Sequence, residues 1–215
     1  PITIMKIILL GPPGSGKGTQ AKLLAEKLKV PHISTGEIFR ENIKKQTEMG
    51  IQVKSILDAG DLVPSEITDV MVKNRLAEVD CANGFILEGY PRNLHQCEAL
   101  DTMTKLDKAI NINVSDEEVT KRLSARRTCS KCKKIYNLDF NPPKVEGKCK
   151  CGGDLILRDD DKPEVITNRL NVYHESAIPI LEFYKTKGIL VDVNGEVGLE
   201  NVLTEILNKL GVSNQ

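Results

Sequence analysis

The chain has 215 residues, 40% of them hydrophobic, with thirty basic side chains against thirty acidic ones. That length suits one large domain or a core with insertions, and the even charge gives no basis for nucleic acid or an anionic membrane as the main partner. No apolar run approaches a membrane span and residues 1–5 lack signal-peptide anatomy, so a cytoplasmic chain is expected.

The first element is the apolar run Ile7-Ile8-Leu9-Leu10, which leads straight into Gly11-Pro12-Pro13-Gly14-Ser15-Gly16-Lys17-Gly18-Thr19. An amphipathic stretch opening at Gln20-Ala21-Lys22-Leu23-Leu24 follows. This order predicts strand, glycine-rich turn and helix. Glycines let backbone N–H groups converge on one point, and the helix that starts there adds partial positive charge. Lys17 is placed to reach the terminal phosphates of a nucleotide, and the spacing is the G-x-x-x-x-G-K of a phosphate-binding loop. Where the general motif continues with Ser or Thr, this chain has Gly18, and Thr19 comes one place late. The hydroxyl that would ligate magnesium directly is therefore missing or displaced, and the metal is expected to be held mostly through water.

The stretch from Val30 to Glu37 reads as a loop ending in Ser34 and Thr35, either of which would cap a helix carrying Ile38, Phe39 and Ile43. A second helix over 51–59 stops at Gly60, and a third starts at Pro64-Ser65-Glu66 and runs to about residue 79. Two short helices are more than a minimal crossover between parallel strands needs, so residues 34–63 are expected to form an insertion over the sheet edge. Phe85-Ile86-Leu87 is the next buried strand, ending in Glu88-Gly89-Tyr90-Pro91-Arg92. Ligands of open parallel sheets sit at the carboxyl ends of strands, which makes this segment a site candidate. A helix with Gln96, Leu100 and Met103 follows, then a strand over 109–114. Ser115-Asp116-Glu117-Glu118 reads as a capping box opening a helix that carries Arg122, Arg126 and Arg127.

Residues 127–162, rich in Lys, Cys, Pro, Gly and Asp, break the strand–helix rhythm and predict a second insertion. Its short apolar pieces, Lys134-Ile135-Tyr136 and Leu155-Ile156-Leu157, read as strands. Cys129-x-x-Cys132 is followed by sixteen residues and then Cys149-Lys150-Cys151. The first pair and the gap have the spacing of a zinc ribbon, and the uneven clustering favours metal over disulfides. The second pair is one residue short of C-x-x-C; Gly152-Gly153 would let its turn adjust. Four thiolates close a structural site with no open position, and iron in the same cage stays open as an alternative to zinc. Cys81 and Cys97 lie apart as small buried residues. A long helix over 163–187 returns to the core, residues 189–193 form the last strand, residues 202–210 the last helix, and residues 211–215 are expected to fray.

Taken together, GPPGSGKGTQ, ISTGEIFR, GFILEGYPR, FNPPK and the cysteine-bearing insertion resemble the adenylate kinases in their long-lid form with a metal site, over about residues 5–210. The resemblance implies an α/β fold: a three-layer P-loop core around a parallel sheet, a helical insertion that binds the monophosphate, and a small zinc-ribbon-like lid. Residues 1–33, 64–126 and 163–215 would be the core, 34–63 the AMP-binding insertion and 127–162 the metal-binding lid. The implied reaction is ATP + AMP ⇌ 2 ADP with magnesium, in a cytoplasmic monomer whose partners are ATP, AMP and ADP.

Position by position, the resemblance implies that Gly14, Ser15, Gly16, Lys17, Gly18 and Thr19 hold the donor phosphates. Arg122 and Arg126 would assist them, while Ile135, Tyr136 and the backbone near Val197 contact the donor's adenosine. Thr35, Arg40, Asp61, Leu62, Val63, Gly89, Tyr90, Pro91, Arg92 and Gln96 would form the AMP site. Arg92, Arg126, Arg158 and Arg169 would gather round the transferring phosphoryl group, Asp160 and Asp161 match acids that help the lid close, and Cys129, Cys132, Cys149 and Cys151 would hold the structural zinc. The chain departs from the family at Glu88 and Glu37, where Asp is usual, at Tyr90, where Phe is usual, and in the shortened Cys149–Cys151 spacing.

The chemistry of the residues agrees. Phosphoryl transfer is mostly positioning and charge neutralisation, which arginine forks do better than lysines. An AMP phosphate, with a second pKa of roughly 6, is already a nucleophile at neutral pH. None of His32, His95 and His174 is therefore assigned a catalytic role. Gln96 either pairs with an adenine edge or is a plain helix-surface glutamine. Glu88 either orients magnesium's waters or pairs with Arg92 or Lys17. Another monophosphate acceptor is the competing enzymatic reading; a nucleic-acid binder with a regulatory P-loop is disfavoured by the zero net charge and scarce aromatics.

Overall fold

A computed structural model describes residues 4–212. Its centre is β1 (Met5–Leu10), which sits in the middle of a five-stranded parallel sheet with β2 (His32–Ser34), β3 (Gly84–Glu88), β4 (Lys108–Asn113) and β8 (Leu190–Asn194), in the order β2-β3-β1-β4-β8. Strands of a parallel sheet are covered on both faces, which is why Ile7, Ile8 and Leu9 form an uninterrupted apolar run. Alternate residues point to opposite faces. Ile8, Phe85, Leu87 and Ala109 meet α4 (Ser65–Leu76), α5 (Leu94–Met103) and α7 (Pro163–Thr186) through Val72, Leu100, Ile180 and Tyr184. Ile7, Leu9, Ile86 and Ile110 meet α1 (Lys17–Leu28) and α8 (Leu199–Leu210) through Leu24, Leu28, Ile206 and Leu210. The core is aliphatic, as expected of a chain without Trp.

The expected loop over Val30–Glu37 contains a strand instead. Residues His32–Ser34 pair with Ile86, Leu87 and Glu88 of β3 as an edge strand. Three residues are too few to show a periodicity; only the neighbouring strand makes them one. Ser34 then caps α2 (Thr35–Lys45), its hydroxyl accepting from the Glu37 N–H at 3.3 Å. The second helix of the insertion, α3 (Glu48–Asp58), starts earlier than residue 51 because Thr47 caps it by accepting from the Gly50 N–H. Helix α4 ends at Leu76 and a 3-10 turn over Val79–Cys81 follows.

Helix α6 (Asp116–Ala125) is capped by Ser115, whose hydroxyl accepts from the Glu118 N–H, but the reciprocal half of the expected box is absent. The Ser115 N–H donates to Glu196 at 2.7 Å, and Glu118 pairs with Arg122 at 2.8 Å. Arg126 and Arg127 are not on this helix: they open β5 (Arg126–Cys129), the middle strand of a small antiparallel sheet with β6 (Ile135–Asn137) and β7 (Leu155–Ile156). This second sheet lies within residues 126–156 and shares no strand with the parallel one. A 3-10 turn over Asp159–Asp161 leads back into α7. Among the described residues no helix is long and apolar enough to cross a membrane. Gly211 closes α8; the rest of the expected fraying tail, residues 213–215, and residues 1–3 of the leader reading lie outside the described residues.

Candidate active site

The loop after β1 delivers its glycines where the sheet opens. At Gly11 (φ 138°) a side chain would lie 2.5 Å from the Ile112 carbonyl oxygen, so the loop can pass over β4 only without one. Helix α1 begins at Lys17 with Gly16 as its N-cap, and no side chain caps it. Its first N–H groups thus point at the loop with no internal partner, which suits an anion. The Lys17 ammonium is buried and donates to the carbonyls of Gly11 at 2.8 Å and Pro12 at 2.7 Å. Burial, reinforced by Arg92 and only partly opposed by Glu88, lowers its pKa to about 7.

A cleft open to solvent runs from Lys17 across the carboxyl ends of β1 and β3 to α2 and the 60–63 segment. Of the candidates, Lys17, Thr35, Arg40, Asp61, Leu62, Val63, Gly89, Tyr90, Pro91, Arg92, Gln96, Asp160 and Arg169 line it. The insertion is fastened over the cleft by Asn168 of α7, whose amide donates to the Ala59 carbonyl at 2.9 Å and to Asp61 at 2.8 Å. Tyr90 is buried and donates its hydroxyl to Asp69 at 2.8 Å, a partner that Phe would not need. Sequence reasoning missed the wall made by Val172, Tyr173 and Ser176 of α7. Their spacing from Arg169 puts all four on one helix face, a signal that was available.

Six cationic groups, Lys17, Arg40, Arg92, Arg126, Arg158 and Arg169, act on one another here against four carboxylates, Glu37, Glu88, Asp160 and Asp161. Burial first, then mutual repulsion, holds Arg40 and Arg92 below the usual guanidinium range, and the same causes bring Arg158 to about 9. Arg92 is oriented by its Nε donating to the Gly89 carbonyl at 2.8 Å, and Arg158 by its Nε donating to the Thr128 hydroxyl at 2.9 Å. Arg126 and Arg169 both donate to the buried Asp161, and Arg169 also to the Asp160 carbonyl. Burial raises the Asp160 pKa, but Arg169, Arg126 and Arg40 outweigh it, so the carboxyl stays ionised. Such a cluster of cations suits a polyanion.

Glu88 ends β3 facing α1. A side-chain carbon at Gly18 would lie 3.7 Å from Glu88 Oε1, so the space left by the missing P-loop hydroxyl opens onto this carboxylate. Burial pushes the Glu88 pKa up, and the Ser34 hydroxyl, Lys17, His32 and Arg92 together bring it below the usual value. His32 Nε2, buried without a hydrogen-bond partner, is 4.0 Å from Glu88 Oε1.

The sequence profile of the adenylate kinase family matches residues 9–189. The adenylate kinase of Lachnospira eligens is 51% identical over 213 residues, covering 96% of this chain and all of that protein. That of Acetivibrio thermocellus is 50% identical over 212 residues, covering 96% of this chain and 98% of the relative. That of Thermosipho africanus is 50% identical over 210 residues, covering 95% and 98%. The chain belongs to the adenylate kinase family.

Three of the candidate side chains have partners of their own. Gln96 is not a plain surface glutamine: it is buried at the lining of the cleft, its oxygen accepting from the Arg92 N–H at 2.7 Å and its amide donating to Ser65 at 3.3 Å. Arg122 donates to Glu118 and to the Gly195 carbonyl, which ties α6 to the loop before Val197. The Tyr136 side chain, next to Ile135 on β6, lies among the cysteines. It is buried, with its hydroxyl 3.3 Å from Cys149 Sγ, because alternation along β6 turns it into the cysteine cluster.

The cysteine cluster of the adenylate kinase lid is preformed. The thiol sulfurs of Cys129, Cys132, Cys149 and Cys151 all lie within 4.8 Å of one another, with Cys129–Cys151 and Cys132–Cys149 at 3.5 Å. The N–H groups of Lys131 and Cys132 donate to Cys129 Sγ at 3.4 Å each. At Gly153 a side-chain carbon would sit 2.6 Å from that same sulfur, so the second glycine lets the chain close over it. Four soft donors in this arrangement fit one tetrahedral, thiophilic ion.

Proposed function

We propose that the chain catalyses reversible phosphoryl transfer from ATP to AMP, giving two ADP, with magnesium as the nucleotide's counter-ion. The observation that carries this reading is the buried excess of cations facing a phosphate-binding loop. In-line transfer between two phosphates needs that apparatus and little else.

In this reading residues 14–19 hold the donor phosphates, and Lys17 exchanges its two loop carbonyls for phosphate oxygens. Thr35, Arg40, the 61–63 segment and Gly89 to Arg92 receive AMP under the 34–63 insertion, while Gln96 acts by fixing Arg92. Arg126, Arg158 and Arg169 surround the transferring group as the 127–162 lid closes, with Asp160 and Asp161 holding them. Magnesium would supply charge neutralisation to the donor phosphates, and Glu88 with the space at Gly18 would hold waters of its shell. The AMP phosphate attacks without a base. The cysteine cluster holds zinc, which supplies stability to the lid and no chemistry. We take the protein to act as a cytoplasmic monomer on free ATP, AMP and ADP.

End-point nucleotide analysis after incubation with ATP, magnesium and each monophosphate in turn is the test. ADP formed from AMP in strong preference to UMP, CMP and GMP is the expected result; equal turnover of another monophosphate would overturn the acceptor assignment.

A further inference from the structure

Cys129 and Cys149 lead the two halves of the cluster, but they are not supported alike. Cys129 receives two backbone N–H groups, from Lys131 and Cys132, which the C-x-x-C spacing turns toward its sulfur. The shorter Cys149-Lys150-Cys151 turn directs the N–H groups of Lys150 and Gly152 away from the Cys149 sulfur. The N–H three residues on, that of Gly152, is used by the Cys149 carbonyl at 2.8 Å. The Lys150 N–H is directed elsewhere as well, donating at 3.3 Å to the Tyr136 hydroxyl oxygen.

That hydroxyl stands 3.3 Å from Cys149 Sγ. With its oxygen already accepting from Lys150, its own hydrogen is free for the sulfur, and a metal-bound thiolate can only accept. Tyr136 is 3% exposed, and β6 pairing with Arg127 fixes where its ring lies. The Lys134 ammonium lies 5.3 Å from the ring centroid on its outer side.

Resting on the reading that this cluster binds metal, we infer that Tyr136 is a positioning residue of the metal centre. Its hydroxyl relays the Lys150 N–H to Cys149 and replaces an N–H···S bond that the shortened spacer removes. Outer hydrogen bonds of this kind hold a ligand in place and spread the charge on the thiolate. The residue is thus tied to this chain's C-x-C departure, and its task is metal retention rather than nucleotide contact.

The test is to load wild type and Tyr136→Phe with zinc and follow its transfer to a chromogenic chelator. The Phe variant keeps the ring and should lose zinc at least about tenfold faster. Its melting temperature should fall relative to wild type in the zinc-loaded proteins and match wild type in the zinc-free ones. Inserting one glycine after Lys150, which restores a two-residue spacer, should bring release from Tyr136→Phe back toward the wild-type rate. Equal release rates in wild type and Tyr136→Phe, or an equal melting deficit with and without zinc, would overturn the inference while leaving the metal centre standing. Wild type that takes up no zinc, cobalt or iron would remove the centre and the inference together.

Discussion

The Arg126 guanidinium meets the Asp161 carboxylate edge to edge, with Nε 2.7 Å from Oδ2 and Nη2 2.5 Å from Oδ1. Arg126 is the residue by which the chain enters the lid and Asp161 one of the last before it leaves, so this pair staples the neck. Arg169 donates to the same carboxylate from α7 at 2.8 Å. One fully buried acid therefore aims two arginines and joins β5 to α7.

Replacing Asp161 with Asn keeps the shape and removes the charge that two guanidinium groups share. Breaking a buried pair from one side costs about 3 kcal/mol or more, a fall in melting temperature of roughly 6 °C or more for a protein of this size. Thermal unfolding should show that fall, and steady-state assays should show kcat reduced by at least about tenfold. Unchanged melting and kcat would mean that the staple holds nothing.

Lys17, with a pKa of about 7 in the open cleft, should take up a proton when ATP binds. Phosphate oxygens favour the ammonium form, so at pH 8 uptake should approach about 0.9 proton per ATP. Calorimetry in buffers of different ionisation enthalpy reads this directly, and Lys17→Met should bring it near zero while abolishing ADP formation. The stability of the nucleotide-free protein follows the same group. Because its folded pKa lies below the unfolded value, the cost of burying the charge is full below about pH 7 and fades as pH rises toward 10.5. Lys17→Met should therefore stabilise the empty protein at pH 6 and much less at pH 10.

Glu88→Ala should cut kcat by about tenfold or more and flatten the dependence on magnesium, since the carboxylate facing Gly18 is lost. Glu88→Asp should stay active with a shifted magnesium optimum. A magnesium titration of Glu88→Ala that overlays wild type at unchanged kcat would take Glu88 out of the metal's surroundings and leave it as a partner of Lys17 and Arg92.

Changing Cys149 and Cys151 together to Ser should lower the melting temperature more than it lowers activity at modest temperature. An ion held by the four sulfurs would tie β5 to the segment before β7, a closure worth stability rather than chemistry. Elemental analysis should find about one equivalent of zinc in wild type and little in the variant. Loss of activity with unchanged melting would reverse this division of labour.

Much of the site was legible along the chain because its parts are local. The apolar run before Gly11, the glycine spacing and Lys17 are contiguous, and together they dictate a strand, a turn and a helix N-terminus. The segment Glu88 to Arg92 was legible for the same reason, as an apolar run that stops at polar residues. The four cysteines declared themselves by spacing, and the model brings their sulfurs together.

What the local signals could not carry are relationships between residues far apart in the chain. His32–Ser34 is a strand only because β3 lies beside it. Glu118 belongs to a capping box by spacing, but the Ser115 N–H goes to Glu196, eighty-one positions on. Gln96 turns inward because Ser65 and the Arg92 N–H are there to satisfy its amide, and Tyr136 turns to the sulfurs because register on β5 decides its face. Sequence alone determined which groups the protein has and which contiguous runs form its turns and helices, since those follow from periodicity and backbone preference. The tertiary structure alone decided which partner each buried polar group takes. A buried donor or acceptor must be satisfied by whatever the fold brings within about 3 Å, and chain distance has no say in that.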